Sequence, residues 1–160
     1  MSSNVPVTRQ ISTLFIIIQL IIFGLFVGLF VLLDAAEPIF FGLAIYITIA
    51  FGLQTLFSNT HKEGIIAVKQ KKFEKALLLF EKSYTFFLEH NNIDKYRAIT
   101  LFSGSKMCYK EMALCNIAFC YSQTGNGLKA KEYYEKVLEN YPSNGLASAG
   151  LNMINSMNTE

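Results

Sequence analysis

Charged side chains are nearly missing from the first third of this 160-residue sequence. Before residue 58 only Arg9, Asp34 and Glu37 are charged, whereas the remainder holds the other 13 Lys and Arg and the other 10 Asp and Glu. Charged residues make up about a quarter of an ordinary soluble domain, but only 16% of this chain. One uniform soluble domain is therefore excluded, and we expect a membrane segment over residues 11–57 and a soluble segment over 58–160.

Residue patterns that carry catalysis or bind cofactors are also missing. The sequence contains no GxxxxGK[ST], GxGxxG, GxSxG, HExxH or DxDxDG string. His61 and His90 stand alone, and Cys108, Cys115 and Cys120 are seven and five residues apart, unlike the spacing of a metal site or a disulfide framework. We expect reduced thiols, no catalytic residue, no cofactor and no metal ion, and hence a protein that is not an enzyme.

A strong excess of positive charge is lacking too. The net charge is +2 and the pI is about 8.4, with no basic stripe interleaved with aromatic residues. Nucleic-acid-binding domains usually show a clear basic patch, so nucleic acid is not an expected partner.

Two long uncharged runs occupy most of this charge-poor region. Residues 11–33 would form a helix of roughly 34 Å and residues 39–57 one of roughly 28 Å, each sufficient for a hydrocarbon core of about 30 Å. The five residues 34–38 between them allow only a tight turn, and Pro38 suits the first turn of the second helix. The runs predict a two-helix transmembrane hairpin in contact with the lipid bilayer.

A cleaved signal peptide is the alternative for the first run, because residues 2–10 are a polar lead and small residues occur within 31–36. The apolar part of a signal peptide is about 7 to 15 residues long, whereas this run has 23 and a second run follows at once. We therefore expect two spans of an integral membrane protein.

Basic residues predict the orientation of these spans. Arg9 lies in the N-terminal lead, residues 1–10, and the turn at 34–38 has no Lys or Arg. Five lysines follow the second run: Lys62, Lys69, Lys71, Lys72 and Lys75. By the positive-inside rule the lead and the C-terminus are both cytoplasmic. The same lysines would attract an anionic leaflet, although interleaved glutamates also allow a simple solvated face.

Two glycines of the first span could allow another helix to approach it closely. Gly24 and Gly28 share one face of the first span and would allow close approach of Gly42 or Gly52, or of another copy in a homo-oligomer. Glycine is also simply common in membrane helices, so this spacing leaves both interpretations open.

The soluble segment shows helical periodicity. Between residues 111 and 144 apolar residues recur at spacings of three and four, which predicts two amphipathic helices. Residues 122–127 form the turn between them, with Gly125 at the end of the first helix, and Pro142 stops the second.

These residues resemble the tetratricopeptide repeat, a helical hairpin with a loose pattern of about 34 residues. The matching positions are Leu114, Ile117, Ala118, Tyr121, Ala130, Tyr134 and Pro142. Small Ala118 and Ala130 would let the two helices approach closely. The resemblance implies an all-α fold of antiparallel hairpins stacked as an α-solenoid.

A weaker copy of the repeat covers residues 57–90. Gly64, Ala76 and Phe80 match, residues 71–73 would form the turn, and residues 73–89 the second helix. Its first helix would continue directly from the second span. Between the copies we expect a short helix over 93–102 and a long one from 103 to about 123. Residues 145–157 predict a capping helix with an apolar stripe at Leu146, Ala149, Gly150, Met153 and Met157.

Family members commonly bind proteins with the inner face of their first helices. By that resemblance the exposed protein-binding residues are Met112, Cys115, Phe119 and Gln123. Burial of this face against residues 93–102 is the alternative. We expect a membrane-anchored adaptor or scaffold that binds a protein partner at the cytoplasmic surface. The alternative is an accessory or assembly subunit of a membrane complex, whose hairpin packs with other spans.

Overall fold

The computed structural model describes residues 12–157, which contain eight α-helices and no strand. The helices are α1 (Thr13–Leu32), α2 (Pro38–Lys69), α3 (Phe73–Glu89), α4 (Asn91–Lys95), α5 (Arg97–Thr100), α6 (Tyr109–Gln123), α7 (Gly127–Asn140) and α8 (Gly145–Met157). The expected all-α class is confirmed. The N-terminal lead at 1–10, with Ile11 and residues 158–160, lies outside the described residues.

The described chain divides into two compact units that interleave in sequence. The first unit comprises residues 12–59 and 92–106, and the second comprises 60–91 and 107–157. The sequence had grouped 92–106 with the soluble segment, whereas its contacts group it with α1 and the first part of α2.

In the first unit, α1 and α2 are joined by a short turn and contact each other through side chains. Asp34 adopts a left-handed φ of 53°, which Asp tolerates better than bulkier residues, and α2 begins at Pro38 as expected. A Cβ atom on Gly42 would lie 2.8 Å from Val27, so α1 approaches α2 closely at this glycine. A Cβ atom on Gly24 or on Gly28 would have nothing within 4 Å. The expectation that they approach Gly42 or Gly52 is therefore wrong.

Helix α2 runs unbroken for 32 residues. Its first part is apolar, and its last turns place Ala67 and Val68 among the buried residues of the second unit. The prediction that the second apolar helix continues directly into the first helix of the soluble segment is confirmed. No loop separates the two parts.

The second unit is built around α6. One buried cluster joins α6 to α7 and α8, and a second joins α6 to α3 and the end of α2. The first cluster consists of Leu114, Cys115, Ala118, Ala130, Tyr134, Val137, Ala147 and Ile154. The second consists of Ala67, Val68, Ala76, Phe80, Ile117 and Cys120. Because α6 contributes to both clusters, it buries apolar residues on more than one face.

Two glycines permit the closest packing in this unit. A Cβ on Gly64 would lie 2.7 Å from the ring of Phe80, and one on Gly150 would lie 2.5 Å from the ring of Tyr134. Each aromatic ring occupies the space that a side chain would need. These contacts bring the end of α2 onto α3, and α8 onto α7.

The long helix begins later than the sequence predicted. It starts at Tyr109 rather than at 103, because Cys108 is its N-cap and Glu111 accepts a hydrogen bond from the Cys108 backbone N–H at 3.3 Å. The short helix expected over 93–102 is divided into α4 and α5.

The capping helix has its expected bounds, but its buried stripe differs from the predicted one. Ala147 and Ile154 are buried, whereas Ala149 and Met153 are exposed. The error has a simple cause. Apolar or small residues occupy most positions of α8, so periodicity alone does not identify the buried face.

Ala130→Leu tests the packing of α7 on α6. Ala130 and Ala118 are both fully buried in the same cluster, so the added bulk has no free space and should cost about 1 to 3 kcal/mol. The matched control is Ala149→Leu, the same substitution at an exposed position of α8, which should change stability by less than about 0.5 kcal/mol. Thermal melts of the full chain in detergent should show a clear loss only for Ala130→Leu. Equal melting temperatures would contradict this packing.

His61 is buried in the second unit, near the end of α2. It is 6% exposed, its Nδ1 lies 3.1 Å from Ser83 Oγ, and the rings of Phe80 and Tyr109 stand edge-on to it at 5.3 and 5.2 Å. Burial lowers the pKa of His61 from its ordinary value of 6.5 to about 4. The imidazole is therefore neutral in the folded protein at neutral pH.

This burial predicts a loss of stability in mild acid. Below pH 6.5 the unfolded chain takes up a proton that the folded chain takes up only near pH 4, so stability falls as the pH falls through this window. Between pH 7.5 and pH 5 the loss attributable to His61 should be about 2 kcal/mol. Denaturant melts should show a smaller pH dependence for His61→Gln. A pH dependence as steep in His61→Gln as in the wild type would contradict this account.

Candidate functional site

Two helices among the described residues are long and apolar enough to cross a membrane. These are α1, with a mean hydropathy of 2.9, and α2, with 1.9 over its apolar part. Their large side chains point outward: Leu25 and Phe51 are each 69% exposed. A core helix of a soluble protein would bury such residues.

Polar side chains within the apolar helices hydrogen-bond inside the first unit. Gln19 is 8% exposed, accepts a hydrogen bond from the Tyr46 hydroxyl at 2.9 Å and donates one to the Ala98 carbonyl. Gln54 donates to the Phe102 carbonyl at 3.5 Å. Thr48 donates to a carbonyl of its own helix. These polar side chains have structural roles, because each forms a hydrogen bond with a backbone carbonyl or with another side chain.

An open apolar groove of about 290 Å³ lies between α1 and α2. It is lined by Phe15, Ile16, Gln19, Leu20, Phe23, Leu43 and Tyr46. Its walls are almost wholly apolar, and its two polar residues are bonded to each other. Such a surface fits an apolar chain rather than a polar ligand.

The five lysines expected at the membrane surface are all exposed. Lys62 and Lys69 lie on α2, Lys71 and Lys72 in the following turn, and Lys75 in the first turn of α3. The α2–α3 connection therefore carries four lysines within seven residues.

The four α6 residues expected to bind a protein do not form one exposed surface. Cys115 is 7% exposed, Met112 and Phe119 are half-buried, and Gln123 is exposed. Phe119 packs against Phe73 of α3, with ring centroids 6.2 Å apart, and Cys115 packs with residues of α7 and α8. α3, α7 and α8 thus account for the burial of these two side chains.

The thiols of α6 are poorly suited to chemistry. Burial raises the pKa of Cys120 to about 12 and, together with the nearby Glu111 charge, that of Cys115 to about 12. Both therefore remain neutral thiols at physiological pH. The third cysteine, Cys108, is half-buried and its Sγ lies 3.3 Å from the Tyr141 hydroxyl.

A tyrosine–lysine cluster on α3, α6 and α7 was missed by the sequence analysis. Its members are Tyr84, Tyr121, Tyr133, Lys129 and Lys136. The Tyr121 and Tyr133 rings stack at 5.5 Å. Lys136 Nζ lies 5.2 Å from the Tyr84 ring and 5.9 Å from the Tyr133 ring, and Lys129 Nζ lies 5.2 Å from the Tyr121 ring.

This cluster has the chemistry of a protein-binding surface. The three rings are half-buried and both lysines are exposed. Burial raises the pKa of Tyr133, with smaller contributions from Tyr121 and Glu81, so its hydroxyl stays protonated and can donate. Tyrosine is enriched at binding hot spots. The spacing of Tyr133 and Lys136 on α7 was visible in the sequence, but the approach of Tyr84 depends on how α3 packs.

Comparisons of the chain with protein-family models, with curated proteins and with solved structures gave no match.

Proposed function

We propose that this protein is a membrane-anchored adaptor, in which α1 and α2 cross the membrane and the second unit binds a protein at the cytoplasmic surface. One observation carries the proposal: α2 exposes apolar side chains over its first part and enters the second unit's core with its last turns. A single helix is thus both membrane-length and part of a folded helical domain.

The packing of the second unit supports a repeat-like scaffold. α6 packs on α3 and on α7, and α8 packs on α7, an order of contacts that supports a stack of helical hairpins. Ala118, Ala130 and Tyr134 are buried together between α6, α7 and α8, as the tetratricopeptide resemblance requires. Stacked hairpins of this kind commonly present protein-binding surfaces.

The tyrosine–lysine cluster is the proposed protein-binding surface. It combines three aromatic rings with two cations, which suits a partner segment that is apolar and carries acidic groups. Gln123 is the residue of the expected α6 surface that remains exposed.

A second candidate function is that of an accessory subunit within a membrane complex. The apolar groove between α1 and α2 favours it, as does the open space beside Gly24 and Gly28. Another span could lie close to α1 at these two glycines, whether it belongs to a different protein or to a second copy.

Two double variants distinguish these functions. Lys129→Glu with Lys136→Glu reverses the charge of the tyrosine–lysine cluster, whereas Gly24→Leu with Gly28→Leu fills the space where another span would approach. A Cβ atom on either glycine would have nothing within 4 Å, and both lysines are exposed. For an adaptor, proteins that co-purify in mild detergent should be lost from the lysine variant and retained by the glycine variant. The reverse result would establish the accessory-subunit function instead.

The orientation is tested by thiol labelling of intact cells with a membrane-impermeant maleimide. Ala36→Cys, in the exposed α1–α2 turn, should be labelled from outside. Leu128→Cys, on α7 where the native side chain is 82% exposed, should be labelled only after the cells are opened. The reason is that five lysines follow the apolar part of α2, whereas the turn between α1 and α2 has no Lys or Arg. Labelling of Leu128→Cys in intact cells would reject the cytoplasmic location.

A further inference from the structure

Residues 92–106, here termed the 92–106 segment, pack against α1 inside its apolar stretch. The Gly104 carbonyl accepts a hydrogen bond from the Ser12 backbone N–H at 3.0 Å, and a Cβ on Gly104 would lie 2.8 Å from the Phe15 ring. The Ala98 carbonyl accepts from Gln19, which is about 9 Å along α1 from Thr13. The segment therefore covers the first third of α1.

The same segment reaches into the apolar part of α2. The Phe102 ring lies 5.3 Å from the ring of Tyr46, and the Phe102 carbonyl accepts from Gln54. Lys62 is the first charged residue after the apolar stretch. Along the helix, Gln54 precedes it by about 12 Å and Tyr46 by about 24 Å. Phe102 thus lies beside the interior of the apolar stretch, not at its charged end.

Side chains satisfy the irregular backbone of the 92–106 segment. Arg97 donates to the carbonyls of Asp94, Ser105 and Lys106, and Thr100 donates to that of Ile93. Two more carbonyls accept from the glutamines of α1 and α2. Non-helical backbone is tolerated at membrane depth only when its polar groups have such partners.

The segment exposes two large side chains with apolar surface, beside the exposed polar residues Asn92, Lys95 and Lys106. Tyr96 is 52% exposed and Ile99 is 53% exposed, and Lys95 Nζ lies 5.3 Å from the Tyr96 ring. Leu20, which follows Gln19 on α1, is 65% exposed, so α1 and the segment each expose an apolar side chain next in sequence to a residue of the Gln19–Ala98 hydrogen bond. Tyrosine beside a lysine with a long flexible stem is typical of the membrane–water interface.

We propose that the 92–106 segment is a third membrane-contacting element, which enters the cytoplasmic leaflet from its interface, with Tyr96 and Ile99 against lipid and Phe102 deeper, between α1 and α2. The exposed lysines of the segment, Lys95 and Lys106, keep its outer edge at the interface. The inference rests on the proposed function, since it needs α1 and α2 to cross the membrane.

The absence of tryptophan from the chain provides the test. Single-tryptophan variants Tyr96→Trp and Ile99→Trp of the full chain are reconstituted in vesicles of phosphatidylcholine and phosphatidylglycerol. Emission is compared with and without phosphatidylcholine brominated near the top of its acyl chains, and with and without aqueous iodide. Leu25→Trp, at a 69% exposed position of α1, is the membrane control, and Leu128→Trp, at an 82% exposed position of α7, is the aqueous control.

Both test variants should be quenched by brominated lipid, each losing at least half the fraction of emission that Leu25→Trp loses, and should resist iodide. Quenching by iodide as strong as that of Leu128→Trp would overturn the inference. Resistance to both quenchers would overturn it too, because protein would then cover the segment. If brominated lipid does not quench the emission of Leu25→Trp, the proposal that α1 crosses the membrane is wrong. This outcome differs from one in which Leu25→Trp is quenched and the two segment variants are not.

Discussion

Helix α2 keeps unbroken backbone hydrogen bonding while its sequence changes from apolar to charged. A helix satisfies its own backbone groups wherever it lies, so a single helix can pass from an apolar surrounding into a protein core without unpaired backbone groups. Both units depend on this property. The first needs α2 as the partner of α1, and the second needs its last turns for a buried cluster.

Within the second unit, α6 is the helix that connects the two buried clusters. It lies between two clusters, so its small residues must fit neighbours on several faces. Ala113, Ala118 and Cys120 are each 0% exposed. Larger residues at these positions would push α3 or α7 away. The tyrosine–lysine cluster depends on this packing as well, because α3, α6 and α7 each contribute a ring to it.

Sequence reasoning succeeded where a pattern is local. Helix α3 and the capping helix α8 have the bounds expected from periodicity and from the residues that end helices, and α2 continues as expected. It failed where the outcome depends on distant partners. The buried face of α8 is selected by Tyr134, which fits over Gly150, and the place of residues 92–106 is selected by Gln19 and Gln54. None of these three partners is identifiable from local spacing: 79 residues separate Gln19 from Ala98, and 48 separate Gln54 from Phe102.

The bond between Gln19 and Ala98 also constrains how the chain is made. Ribosomes deliver α1, all of α2 and α3 before residue 98 exists, so the Gln19 amide has no Ala98 carbonyl to bond until that part of the chain has been made. Residues 92–106, which complete the first unit, follow α3 in the sequence. Residues 107–157, which complete the second unit, come after them. Neither unit has all of its residues until most of the chain has been synthesised, so the two units finish folding late and close together in time.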